Sequence, residues 1–367
     1  MSPIGQHLTR RERLRRCYFH QEQDRPGVYC RTAFPLDDPT YDALKAYLAE
    51  HTELKALWDT QACETPLPVR RRREPCSEDW EREVITLETS AGPLSSSHLH
   101  SLKGEPGRHE TFFLKSREDA ERYLSLPLPE LHGDASAHAR LDREVGEAGI
   151  AEAYLAPNPG GFAVELLGSE LFAVMSLTDR DVLHALCERR MKVLLNRVRF
   201  LVSQGVGPFF CLSGEEYIVP PLHGPRDFCD FNVKYDKPII GLIHEAGGRV
   251  HIHCHGSVRR VIKGFVEMGT DVLHPFEPPP QGDITAAEAK AAARGRMSLE
   301  GNIQIDRMYR CLPEEIRQET LGLIRDAFDD HRGLTVCPTA SPYMRGKGAA
   351  SFPAFRAMID TVLAWRG

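Results

Sequence analysis

The stretch VHIHCHGSVRRVIKGFVEMGTDVLHPFE, Val250 to Glu277, reads as a strand, a helix and a second strand. VHIHCHG starts apolar and is closed by Gly256, SVRRVIKGFVEMG has a helical pattern, and DVLHPFEPPP returns to a short extended run. The rhythm continues towards the C-terminus. The helix of ITAAEAKAAARGR follows, then SLEGNIQI with LPEEIRQETLGLIRDAFDDHRG, then LTVCPTASP with a final helix. Towards the N-terminus, RDFCDFNVKYDKPIIGLIHEAGG is helical up to the glycine pair 247–248, and GPFFCLSG is a strand. A long amphipathic helix spans about residues 179–202, GIAEAYLAP is a strand and SREDAERYLSL is a helix. Short apolar runs alternating with helices mark βα units on a parallel sheet. Repetition of this kind favours an α/β (β/α)8 TIM barrel over an open sheet. The 367 residues permit one domain or two; the repetition places residues 1–367 in a single barrel domain.

The flanking segments decorate that barrel. LTRRERLRRCYFHQEQDRPGVYC reads as a basic N-terminal helix within residues 1–26, capped by Thr9 and ended near Asp24-Arg25-Pro26, with a strand from Val28 to Cys30. Residues 31–82 read as a helix, YDALKAYLAEHTELKALW, and then a Pro- and Arg-rich loop in which Arg70 to Arg73 form a solvated run. Alternation across turn signals from about 83 to 114 predicts a β-hairpin-like insert. With 52 acidic and 46 basic residues, a net charge of −6 argues against a platform for nucleic acid. The ten cysteines include no CxxC pair, so they form no disulfide framework. No apolar run serves as a signal peptide or a membrane span, so a cytoplasmic setting without membrane contact is expected.

In such a barrel the reactive groups belong at the C-terminal strand ends. The last four expected strands end in His253-Cys254-His255, in His274 and Glu277, in Asn302 and Gln304, and in Cys337. Side chains alternate along a strand, so His251, His253 and His255 share a face while Ile252 and Cys254 point to the helices. Two histidines two apart and a thiolate from another strand make a three-ligand zinc site with an open position: His253, His255 and Cys337. Glu277 is the candidate base or labile ligand. A lone strand-end histidine is ordinarily structural, but three within five residues shift that balance. Cys211 and the pair Glu215-Glu216 are further candidates at the mouth, with solvated loop carboxylates as the default for the pair.

TRRERLRRCYFHQEQDRPGV, IIGLIHEAGGRVHIHCHG, FVEMGTDVLHPFE, SLEGNIQI and LTVCPTASP together resemble the uroporphyrinogen decarboxylase superfamily, over most of the chain. Its decarboxylases carry RQAGRYLP after the first strand; here VYCRTAFPLDDPTY offers only Arg31. The chain is more similar to the zinc-dependent methyltransferase branch, whose His-x-Cys-Gly motif becomes His253-Cys254-His255-Gly256. The resemblance implies Zn2+ and a corrinoid (methylcobalamin) supplied by a corrinoid protein, with a small-molecule methyl donor or acceptor and a homodimer. Arg31, His274, Asn302 and Gln304 are the candidate substrate contacts. Three alternatives stay open: a metal-independent decarboxylase of uroporphyrinogen or another polycarboxylate, drawing on Arg31, Arg226 and Arg345; a non-catalytic zinc-containing barrel; and zinc-assisted hydrolysis or lyase chemistry.

Overall fold

The computed structural model describes residues 7–103 and 107–367; residues 1–6 of the expected N-terminal segment and 104–106 of the expected insert lie outside the described residues. Helix Arg10–Tyr18 begins where the sequence places it, with Thr9 Oγ1 accepting the Glu12 N–H at 3.1 Å. The chain then enters β1 (Gly27–Val28) and, after the helix Asp42–His51, β2 (Leu54–Asp59). An insert follows: β3 (Val69–Pro75), β4 (Trp80–Leu87), β5 (Leu94–Ser101) and β6 (Arg108–Thr111), paired antiparallel in that order. The barrel resumes with β7 (Gly149–Pro157), β8 (Phe209–Ser213), β9 (Arg249–His253), β10 (Val272–His274), β11 (Ser298–Ile303) and β12 (Leu334–Pro338).

These eight barrel strands form one parallel sheet in the order β1-β12-β11-β10-β9-β8-β7-β2. A backbone bond from Glu53 N–H to Val28 O, 3.0 Å, joins its two ends and curls the sheet into the TIM-barrel-like form. At the β2 edge only glycine is tolerated beside the neighbouring backbone, since a Cβ at Gly149 would lie 1.8 Å from Leu54 O. Outward residues such as Ile252, Cys254, Leu273, Leu299 and Val336 join the main core under the helices. Leu14 and Tyr18 of the first helix pack on Ile150, Phe209 and Val272, early in their strands, and so plug the bottom of the barrel. Arg13 fixes that helix through Glu53 (2.6 Å) and Asp24 (2.7 Å). Among the described residues no single helix is long and apolar enough to cross a membrane.

Two local expectations are corrected. TELKALW does not extend a helix: the helix stops at His51, and Leu54–Asp59 is β2, because barrel closure turns Lys55 inward onto a carboxylate. The arginine run 70–73 is not a loop but part of β3, held by cross-strand pairs from Arg71 and Arg73 to Glu83 and from Arg70 to Glu88. The insert therefore starts near residue 69 and has four strands rather than two.

Candidate active site

Barrel interiors of this class are usually filled with branched aliphatic side chains. Here the layer above the apolar plug is charged. Lys55 (β2) is ion-paired with Glu300 (β11), and Tyr18 O–H donates to Glu152 (β7). His251 (β9) lies between the two carboxylates, its Nδ1 3.2 Å from Glu152 Oε1 and its Nε2 3.9 Å from Glu300 Oε1. Burial alone would push the Glu152 carboxyl up, yet Lys55, His251 and the Tyr18 hydroxyl outweigh it and hold it at about 2. Cys211 (β8) faces the same layer rather than the mouth, with its thiol pushed up by burial.

One turn higher, at the strand ends, the polar groups meet solvent. β9 and β10 align His253 with His274, and their rings stack at 5.1 Å with the Nδ1 atoms 2.9 Å apart. Arg31, just past β1, brings Nη1 to 3.0 Å from His253 Nδ1. Burial, then the charge of Arg31, holds His253 at about 2, and burial drives His274 well below its ordinary value, so both imidazoles are neutral. His255 sits beyond the end of β9 with 38% of its side chain exposed. Its Nδ1 is 3.2 Å from Glu277 Oε1, while Glu277 Oε2 accepts the Gly256 N–H at 2.8 Å. Nearby Glu216 is raised by burial. Glu215 is no solvated loop carboxylate: it is fully buried, and burial next to Asp236 pushes it well up.

The remaining expected residues divide. Asn302 is paired in register with Cys337 and donates to Phe276 O at 3.0 Å, bracing the loop after β10. Gln304 donates to Pro278 O at 2.8 Å and lines a separate recess of about 690 Å3 with Pro279 and Arg307. Cys337 is fully buried and faces His274, Sγ to Nε2 3.6 Å, with its thiol held well above the ordinary range by burial.

Zinc bonds of about 2.0–2.3 Å bring tetrahedral ligand atoms within about 3.3–3.8 Å of one another. The expected set does not fit that requirement in this arrangement. The His274 ring stands between the other two groups, one nitrogen towards His253 and the other towards Cys337. Among the described residues the groups whose donor atoms lie within 4.8 Å of one another are Glu152, Cys211 and His251, and His251, His274 and Glu300; the set His253, His255 and Cys337 is not one of them. Lys55, Glu152 and Glu300 escaped the sequence reading. Their signal was a charged residue set between small or apolar neighbours inside an expected strand or apolar run, as in LKA, AEA and LEG.

Residues 159–338 match the family model described as Uroporphyrinogen decarboxylase (URO-D). Among solved structures the chain is similar to a methyltransferase from Methanosarcina mazei, with 13% identity, 97% of this chain and 100% of that chain covered, and a TM-score of 0.62. It is also similar, at 10% identity and a TM-score of 0.37, to D-psicose 3-epimerase from Clostridium cellulolyticum H10, with 62% of this chain and 82% of that chain covered. No curated protein matches the sequence.

Proposed function

Starting from a chain that belongs to the uroporphyrinogen decarboxylase superfamily, we propose that it is a methyltransferase, moving a methyl group between a corrinoid held by a separate protein and a thiol or other small acceptor. The observation that carries this reading is the convergence of Arg31, the neutral pair His253 and His274, and the His255–Glu277 pair at the barrel mouth. The full-length likeness to a solved methyltransferase supports it.

The corrinoid supplies or takes up the methyl group; the other tasks fall to this chain. Arg31, beside imidazoles that carry no charge, offers its guanidinium to an anionic group on the small molecule. His255 takes the acceptor's S–H or O–H proton on Nε2, since Nδ1 is turned to Glu277 and Glu277 is itself fixed by the Gly256 N–H. The freed electron pair of the acceptor then bonds to the methyl carbon as the bond from the methyl group to its donor breaks, the electron pair of that bond staying with the donor. The donor atoms of His253, His255 and Cys337 are not gathered within 4.8 Å of one another, so these steps rest on the side chains themselves. Metal-independent decarboxylation of a polycarboxylate is the second reading. It calls for gathered arginines, whereas Arg226 pairs with Asp230 at the surface and Arg345 lies in an exposed loop.

The test is protein-dependent demethylation of methylcobalamin by a panel of small anionic thiols, followed by the cobalamin spectrum. Loss of activity in Arg31→Ala and His255→Ala is the expected result. An inactive wild type that instead releases carbon dioxide from a porphyrinogen polycarboxylate overturns the proposal.

A further inference from the structure

We propose that the cavity between the four-stranded insert and the helices Pro159–Leu167 and Arg180–Ser203 is a binding site for a small monocarboxylic acid with an apolar body. The cavity measures about 390 Å3, within the range of about 300–1,000 Å3 typical of small-molecule sites. Its walls are chiefly apolar, with Val69 from β3, Phe162 and Leu166 from the first of those helices and Leu186 from the second.

One side chain in this wall has unfinished business. Arg190 is 6% exposed, and its Nε and Nη2 share a single acceptor, Pro157 O, at 3.3 and 3.2 Å. Among the described residues Nη1 has no hydrogen-bond partner and no carboxylate lies within ion-pair reach of the guanidinium. The nearby Glu64 is committed to Arg197, at 2.6 Å through Nε and 2.5 Å through Nη2. Arg190 instead lies over the Phe162 ring, 4.4 Å from its centroid. A buried cation ordinarily has an anion or a full set of acceptors. Burial, then the charge of Arg197, lowers Arg190 to about 10, and the more distant carboxylates of Glu64 and Glu165 offset this only in part. The other two arginines of the wall are already engaged, Arg71 by Glu83 and Arg189 by Leu126 O and Pro127 O. A buried guanidinium with a backbone oxygen and an aromatic ring as its direct partners, and no carboxylate, in a chiefly apolar chamber selects a monoanion on an apolar body. A carboxylate matches the guanidinium fork, and an aryl or alkyl chain covers the aliphatic walls.

The probes are 4-phenylbutanoate and its neutral counterpart 4-phenylbutan-1-ol, titrated calorimetrically into the intact protein. Saturable binding of the acid is expected, with affinity at least tenfold weaker for the alcohol and for the acid with Arg190→Gln. Val69→Trp, which fills the chamber from the edge strand and leaves the guanidinium in place, abolishes binding even if the arginine variant folds poorly. His253→Ala leaves binding unchanged, which separates this chamber from the barrel mouth. Equal binding of acid and alcohol, no effect of Val69→Trp, or no saturable binding of the acid overturns the proposal.

Discussion

Replacing Lys55 by Met tests whether the barrel's charged layer is as dry as its geometry implies. Lys55 and Glu300 have side chains each only 1% exposed, and they are ion-paired. The ammonium also lies 5.1 and 5.3 Å from the ring centroids of Tyr18 and Tyr29. Glu300 Oε1 has no hydrogen-bond partner, so Lys55 is the main compensation for that carboxylate. Methionine keeps the length of the side chain and removes the charge, leaving Glu300 stranded in the interior. Breaking a buried pair in this way costs about 3–5 kcal/mol, a factor of roughly 10²–10⁴ in the folded-to-unfolded ratio. With a urea slope of about 3 kcal/mol/M the midpoint falls by about 1–1.7 M. Removing both charges in Lys55→Met/Glu300→Gln recovers more than half of that loss, because a neutral amide needs no counter-ion. The assay is urea unfolding followed by far-UV circular dichroism at neutral pH. A loss below about 1 kcal/mol for the single variant, or a double variant no better than the single, refutes the reasoning and means that water reaches the layer.

Three further outcomes follow from the same geometry. His255→Ala and Glu277→Gln lower the methyl-transfer rate by about 10²–10⁴-fold, the range for a general base, while the exposed His255 side chain costs little melting temperature; equal losses in stability would make the pair structural. Glu152, held at about 2 against an ordinary 4.5, binds fewer protons folded than unfolded, so its contribution is complete above about pH 4.5 and is lost as pH falls towards 2. Of order 3 kcal/mol is at stake for this fully buried group, and acid unfolding of Glu152→Gln loses that part of its pH dependence. Thr9→Ala removes the cap on the first helix and costs about 1 kcal/mol in urea unfolding, with no change in methyl-transfer rate.

The barrel was legible in the sequence because its periodicities are local. The alternation in VHIHCHG, the Thr9 cap and the glycine pair 247–248 each report on a few neighbouring residues. Arg31, His253, His255 and Glu277 were legible for a related reason: strand ends fix where they emerge. Groups whose role depends on what closes over them were not. A lysine in LKA or a glutamate in AEA reads equally well as solvent-facing, and only the closed sheet turns Lys55, Glu152 and Glu300 onto one another. The same blindness made Glu215 a surface carboxylate and the 70–73 run a loop. It also hid the His274 ring, whose place between His253 and Cys337 is set by strand register and side-chain rotation together.

That register gives the histidines of β9 and its exit three environments by depth. His251 lies between the Glu152 and Glu300 carboxylates, deep among charges that belong to the fold. His253, two residues higher, meets Arg31 and is stripped of its proton by burial and by positive neighbours that include Lys55. His255, two residues higher again, reaches solvent and is turned by Glu277. The deep layer adds little to this at the mouth, where burial outweighs its charges. Burial, then Arg31 for His253 and the neighbouring His253 for His274, keeps these two imidazoles neutral with Lys55 as the smallest contributor, and under the proposed function Arg31 is the cation that meets an anionic substrate.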